Sequence, residues 1–188
     1  LASVQDDAPY TYAGANGKSV SNYDKRYRGF TTLREAITDS INIVTVKTLA
    51  QVGVSLGWQY VQEYGFATVD SRDMNEALAL GGITQGVSNL ELTAAYAAIA
   101  NQGTYIKPKF YTKILDHDGN VLIDNTTPES HTVIKDTTAW LLTSAMEDVM
   151  TSGTGTSAYF GSSMAQAGKS GTTTSSRDAL FAGYTPYY

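Results

Sequence analysis

The chain has 188 residues, with 13 Lys and Arg against 18 Asp and Glu for a formal net charge of −5, and it is 42% hydrophobic and 16% charged. That length fits one core rather than a long solenoid or a two-domain enzyme. The acidic balance, without any long run of like charge, excludes a phosphate-backbone partner, so no nucleic acid is expected. Zero Cys excludes a disulfide framework, a thiolate metal site and a cysteine nucleophile, and the only histidines, His117 and His131, are too isolated to hold zinc; no metal and no cofactor is expected.

No apolar run approaches the ~18 consecutive residues that cross a bilayer, and the N-terminus lacks the charged-then-apolar tract of a signal peptide. Starting at Leu1 and ending on Thr185-Pro186-Tyr187-Tyr188, the chain reads as a piece of something longer, with any membrane or targeting element outside it.

In chain order, residues 1–30 contain Asp6-Asp7-Ala8-Pro9, Gly14, Asn16-Gly17 and Asn22-Tyr23-Asp24 among tyrosines, which predicts extended, turn-rich coil. Residues 31–103 read as mainly helical. Thr32-Leu33-Arg34-Glu35 is a capping-box pattern that starts a helix at Thr32. Ile43, Val46 and Ala50 carry a helical stripe to a stop at Gly53, and a short helix over residues 55–64 ends at Gly65. Ser88-Asn89-Leu90-Glu91 repeats the capping box ahead of an Ala-rich segment, apolar almost all round, which predicts a buried helix.

Residues 104–188 read as a hairpin, a helix and two strands. Asp118-Gly119 separates β-rich stretches at 112–117 and 120–123, the clearest hairpin signal in the chain. Asp136 is expected to cap a helix with Ala139, Leu142, Met146, Val149 and Met150 on one face, closing at Gly153; extended segments follow at 166–173 and 179–184. Helices precede strands without β-α-β alternation, so the fold class is α+β. Most of the thirteen tyrosines are expected in the core and strands, with Tyr10, Tyr12, Tyr23 and Tyr27 as candidates to cover a groove mouth.

Two short motifs stand out, Ser40-Ile41-Asn42 and Lys169-Ser170-Gly171-Thr172-Thr173. In order, they match the second and third elements of the set Ser-x-x-Lys, Ser-Asp-Asn and Lys-Thr-Gly. Together with Gly29-Phe30-Thr31-Thr32-Leu33-Arg34-Glu35-Ala36, Gly81-Gly82-Ile83-Thr84-Gln85-Gly86-Val87-Ser88-Asn89 and Asp178-Ala179-Leu180-Phe181-Ala182-Gly183-Tyr184-Thr185-Pro186, they make the chain resemble the transpeptidase domain of class A penicillin-binding proteins from about Asp6 to its last residue. The resemblance implies a penicillin-binding-protein and β-lactamase-like fold, a helical subdomain plus antiparallel sheet. It also implies acyl transfer from D-Ala-D-Ala stem peptides during peptidoglycan cross-linking, with β-lactams as mimics.

Under that resemblance Ser40 is the proton shuttle, Asn42 holds the substrate amide, and Lys169 attracts the terminal carboxylate and polarises Ser40. Ser170 and Thr172 are direct carboxylate partners, Thr173 completes the substrate-binding strand, and Gly171 permits close approach while an N–H near Thr172 faces the oxyanion. Residues two apart on a continuous helix point about 200 degrees apart, so this reading requires the first helix to stop near Asp39 with Asn42 capping a second one. Gly153-Thr154-Gly155-Thr156 lacks the Gly-Lys-Ser/Thr ending of a P-loop and is expected to support the cleft wall.

One departure matters: no serine in the chain is followed three residues later by Lys, so the nucleophile is absent. The expectation is the C-terminal part of a transpeptidase domain, incomplete at both ends, inactive alone, and joined in its parent to an anchor on the extracytoplasmic face of the bacterial cell membrane. A D,D-carboxypeptidase or β-lactamase-type hydrolase and a non-catalytic binding module stay open as alternatives. Missing flanks also predict self-association through exposed edges.

Overall fold

In the computed structural model, residues 1–13, 18–161, 163–173 and 176–187 are described. Segments expected as plain coil at the N-terminus turn out to be paired: β1 (Val4–Asp7) lies antiparallel to β4 (Gly29–Thr32), and β2 (Tyr10–Thr11) to β3 (Ser19–Val20). The pairing of β1 brings Asp7 opposite Gly29, and the chain leaves β4 directly into the first helix.

The helix α1 (Leu33–Thr38) starts where its capping box places it: Thr32 accepts from the Glu35 N–H at 3.2 Å, and Glu35 accepts from the Thr32 N–H at 2.8 Å. Two orphan donors of the first turn are thereby satisfied. After Ser40 comes α2 (Asn42–Val52), then α3 (Val54–Glu63), with Gly53 as the joint between them. Two 3₁₀ turns, Ser71–Asp73 and Glu76–Leu80, lead toward α4 (Asn89–Ala100), whose Ser88–Glu91 capping box also forms.

Full burial was expected for α4 but is limited to Ala94, Ala95 and Ala98. Ala94 and Ala98 pack with Tyr105 and Val133, while Leu92, Tyr96 and Ile99 line a groove of about 850 Å³ shared with residues 136–147 and 180–187. An Ala-rich helix has no strong amphipathic signal, because alanine fits either a close contact or an open face.

Beyond α4, β5 (Thr104–Ile106) pairs with β8 (Ser130–Thr132), and β6 (Lys113–Leu115) with β7 (Val121–Asp124). The β6–β7 turn is wider than a two-residue loop: the Asp116 N–H donates to Asn120 O at 2.9 Å, with a bulge at Ile114 and Leu115. Helix α5 (Asp136–Thr151) buries Ala139, Ala145, Met146, Val149 and Met150 and packs against β9 (Ala167–Thr172), which pairs with β10 (Ala179–Tyr184). Lys135, one residue earlier than expected, is the N-cap of α5. Among the described residues every sheet has two antiparallel strands.

The core is divided. Val20, Ile43 and Val46 form one cluster with Tyr10 and Tyr12 against it, and Ala36, Ile41 and Val44 form a second with Leu33. Both clusters draw on α2, so the helix carrying the Ser-x-Asn motif is held on two sides. Among the described residues Tyr105 is the only buried tyrosine, and Tyr10, Tyr105 and Tyr184 lie in strands, so the expected placement in core and strands holds for only some of them; Tyr23 and Tyr27 are exposed.

Candidate active site

The α1–α2 junction decides whether the Ser-x-Asn motif can serve one pocket. Helix α1 closes on Asp39, whose N–H donates to Glu35 O at 2.9 Å, and the Ile41 N–H then reaches back to Ala36 O at 2.9 Å. Between them Ser40 adopts φ +56°, in the left-handed region. For a residue with a Cβ this costs on the order of 1–2 kcal/mol and persists only where the surroundings hold it. The helix is therefore broken at Ser40, as the motif required.

The boundary falls one residue from expectation. Asn42 is the first helical residue, and Ile41 occupies the N-cap position without a side-chain capping bond. Ile41 is 1% exposed, committed to the core beside Ala36 and Val44, and has no polar atom with which to cap.

A residue that the sequence reading treated only as part of a turn replaces the missing cap. Asn22, also 1% exposed, accepts from the Ile43 N–H through its side-chain oxygen at 3.2 Å. Its amide nitrogen donates to both carboxylate oxygens of the fully buried Asp7, each at 2.9 Å, and to Arg26 O at 2.7 Å. The Asp7 carboxylate also accepts from the Arg28 N–H at 2.9 Å, with the Arg28 guanidinium 3.9 Å away. Next door, Asn42 Nδ2 donates to Ser21 O at 3.0 Å. No periodic pattern signals such a contact; only the run Asn22-Tyr23-Asp24 marked the region as a turn.

Opposite Ser40, Lys169 on β9 donates from Nζ to Ser40 Oγ at 2.8 Å and to Ser170 O at 3.0 Å. Partial burial pushes the Lys169 ammonium below its ordinary pKa, because the charged form loses solvation there. Among the described residues it forms no ion pair with a carboxylate. A half-buried ammonium in that setting suits an anionic ligand.

Ser170 Oγ donates to Thr154 Oγ1 at 3.1 Å, and the Thr154 N–H donates to Thr38 O at 3.2 Å. The Gly153-Thr154 segment thus ties the end of α1 to β9. It also explains the glycine: a Cβ on Gly153 would run into the Thr38 carbonyl.

At Gly171, by contrast, no other described residue beyond its chain neighbours lies within 4 Å of where a Cβ would stand, so this stretch of strand is open on that side. Thr173 N–H donates to Asp178 O at 3.0 Å, toward β10, so strand alternation turns the Thr172 N–H to the other edge, as it does the Ser170 carbonyl that Lys169 uses. The Thr173 hydroxyl is engaged with Asp178, accepting from its N–H at 2.8 Å and donating to its carboxylate at 3.1 Å.

The structure thus brings Ser40, Lys169, Ser170 and Thr154 together, leaves Gly171 and Thr172 open beside them, and turns the Asn42 amide nitrogen toward Ser21 and the Thr173 hydroxyl toward the β9–β10 turn. His117 is exposed at its hairpin turn; His131 is exposed too, but one ring nitrogen lies 2.8 Å from Glu63 O and the ring is tilted against Tyr105. Among the described residues no group of three or more acidic or histidine side chains converges as metal ligands would.

The mixed helical and antiparallel-sheet fold matches solved structures of penicillin-binding proteins. The chain superposes on penicillin-binding protein 1A from Haemophilus influenzae with a TM-score of 0.85 at 26% identity, covering 98% of this chain and 33% of that one. Residues 2–187 match the family model of the penicillin binding protein transpeptidase domain, and the chain belongs to that family. It is 40% identical over 171 residues to penicillin-binding protein 1F of Bacillus subtilis, covering 88% of this chain and 23% of the relative. It is 34% identical over 196 residues to penicillin-binding protein 1A of Clostridium perfringens, covering 99% and 29%. The chain therefore spans about a quarter of the length of the curated relatives it matches.

Proposed function

We propose that these residues form two walls of a serine D,D-transpeptidase active site, within a longer peptidoglycan-synthesising protein that works outside the cytoplasmic membrane. The observation that carries this reading is the 2.8 Å hydrogen bond from Lys169 to Ser40, which joins two motifs 129 residues apart.

The nucleophilic serine belongs to a Ser-x-x-Lys segment that these 188 residues do not contain. Its oxygen attacks the carbonyl carbon between two D-alanines, and its proton passes through the Ser40 hydroxyl to the departing amine nitrogen as the C–N bond breaks. Lys169 holds the Ser40 hydroxyl as an acceptor on one side, which leaves its own proton free to move to the other. The same ammonium, with the Ser170 and Thr172 hydroxyls, draws in the terminal carboxylate. The Thr172 N–H, turned away from β10, is a donor for the oxyanion, an interaction of about 3–4 kcal/mol in comparable sites. Asn42 holds the peptide amide of the stem. A neighbouring amine then takes the acyl group; β-lactams stop at the acyl-enzyme.

Acylation of the full-length protein by a fluorescent penicillin tests this reading. Ser40→Ala and Lys169→Ala are each expected to lower the acylation rate constant by about 10²–10⁴-fold, the range for a lost proton-transfer partner. Unchanged labelling in both variants overturns the proposal. A lasting adduct with cross-linked product fits a transpeptidase, whereas rapid β-lactam turnover identifies the hydrolase instead. A parent sequence without Ser-x-x-Lys upstream leaves only a binding module.

A further inference from the structure

We propose that Asn22 is a positioning residue for the Ser-x-Asn motif: together with Asp7 it caps α2 from outside the helix and so fixes the corner on which Ser40 stands. The inference rests on the reading above for its catalytic consequence, though not for its structural content.

An α-helix leaves its first N–H groups without intrahelical partners, and the residue before the helix ordinarily supplies an oxygen to one of them. At α2 that residue is Ile41, whose side chain is buried in the core and carries no acceptor. The Ile43 N–H is satisfied instead by Asn22 Oδ1, 21 residues upstream. A buried amide oxygen can serve there only if its orientation is fixed, because rotating Asn22 by half a turn would present N–H groups to an N–H.

Asp7 removes that freedom. Its two oxygens and the Arg26 carbonyl all accept from Asn22 Nδ2, which identifies the nitrogen side and leaves the oxygen facing Ile43. Asp7 is in turn held by the Arg28 N–H and by the β1–β4 pairing. The neighbouring Ser21 carbonyl takes the Asn42 amide at 3.0 Å, so one dipeptide grips two successive residues of α2. Ser40 lies two residues before this grip, in a left-handed conformation that needs support from both sides. On one side it has the closure of α1; on the other it has Asn22.

The device differs from a core contact because it is directional: replacing the amide by a group of the same size removes the orientation without leaving a cavity. Asn22→Asp puts a carboxylate against Asp7 and abolishes the donor. The exchange Asp7→Asn with Asn22→Asp returns a donor and an acceptor to the pair and keeps an oxygen toward Ile43, although the Arg26 carbonyl loses its donor.

Two measurements on the full-length protein test this. Amide hydrogen exchange at Ile43, below the melting temperature of each variant, is expected to accelerate at least about tenfold in Asn22→Ala and Asn22→Asp, with the centre of α2 unchanged. The exchanged pair is expected to recover part of that protection, short of the wild type by the lost Arg26 contact. In parallel, the rate constant for acylation by a fluorescent penicillin is expected to fall at least about tenfold in the single variants, with the affinity of the non-covalent complex changed less than threefold, and to recover in part in the exchanged pair.

Ile43 exchange as slow in folded Asn22→Ala as in the wild type overturns the capping claim. Accelerated exchange with an unaltered acylation rate overturns the positioning claim. A wild-type protein that penicillin never acylates sinks the transpeptidase reading and the catalytic consequence, while the Ile43 measurement still decides the cap. Should the single variants not fold, a folded exchanged pair with a protected Ile43 N–H supports the directional role, and an exchanged pair that also fails to fold overturns it.

Discussion

The wall that carries Ser40 is buried on nearly every side, whereas the wall that carries Lys169 opens to solvent within three residues. Ile41, Ile43, Val44 and Val46 are each 1% exposed or less, and the Asp7–Asn22 pair beneath them is equally inaccessible. Along β9, Ala167 and Gly168 are buried, Lys169 and Ser170 are intermediate, and Gly171 and Thr172 are exposed. One wall holds a strained serine at a set place; the other offers hydroxyls, an N–H and an ammonium to whatever enters. Substitutions should therefore tell first on folding at the Ser40 wall and first on binding at the β9 wall.

The sharpest way to break this contrast is to truncate one residue on each side. Ile43→Ala is expected to cost about 2–5 kcal/mol in chemical denaturation, the range for an aliphatic core truncation, while Thr172→Ala stays within about 0.5 kcal/mol. Equal losses would mean that the two walls are equally integral to the core. The joint between them comes next. Gly153→Ala would press a methyl group on the Thr38 carbonyl, and about 1–3 kcal/mol of destabilisation is expected, read as a lower melting temperature.

A smaller effect concerns Ser40 itself. Its positive φ suits glycine, so Ser40→Gly is expected to be more stable than Ser40→Ala by about 1 kcal/mol in equilibrium unfolding, although both lack the hydroxyl. Equal stability would show that the corner relaxes when the side chain is lost.

The subtlest expectation is a pH dependence at Lys169, whose pKa in the folded protein lies below its ordinary value of 10.5 because of burial. Between the lowered value and 10.5 the unfolded chain binds more protons than the folded one, so the penalty of confining the charge is relieved as pH rises through that window. Denaturation of wild type and Lys169→Met across that interval should show the difference moving in favour of the wild type with increasing pH. A constant difference would mean that the ammonium is as well solvated as in the unfolded chain.

Features that depend on neighbours in sequence were legible, and those that depend on distant partners were not. The Thr32–Glu35 and Ser88–Glu91 capping boxes are local hydrogen-bond pairs, so four residues suffice to read each. The break at Ser40 followed from requiring two side chains of one motif to share a pocket, a constraint that a 3.6-residue period can be tested against. Asn22 escaped because its partners, Asp7 and Ile43, lie 15 and 21 residues away and a polar residue in a turn resembles any other. Strands β1 and β4 escaped for a related reason: at four residues each they are too short to show a sustained alternation, and Asp6, Asp7 and Gly29 read as turn residues until the two segments are seen paired with each other. The open face of α4 is invisible to composition, since what lines a groove depends on α5 and β10.

Gly171 gives the molecule an unguarded spot. Because a methyl group there would meet no described residue beyond its chain neighbours, an alanine at this position leaves the scaffold as sturdy as before, or slightly sturdier, and alters only the room left for a visitor along the strand. Mutational drift at Gly171 would thus escape quality control by folding and be judged solely on which molecules the strand still admits.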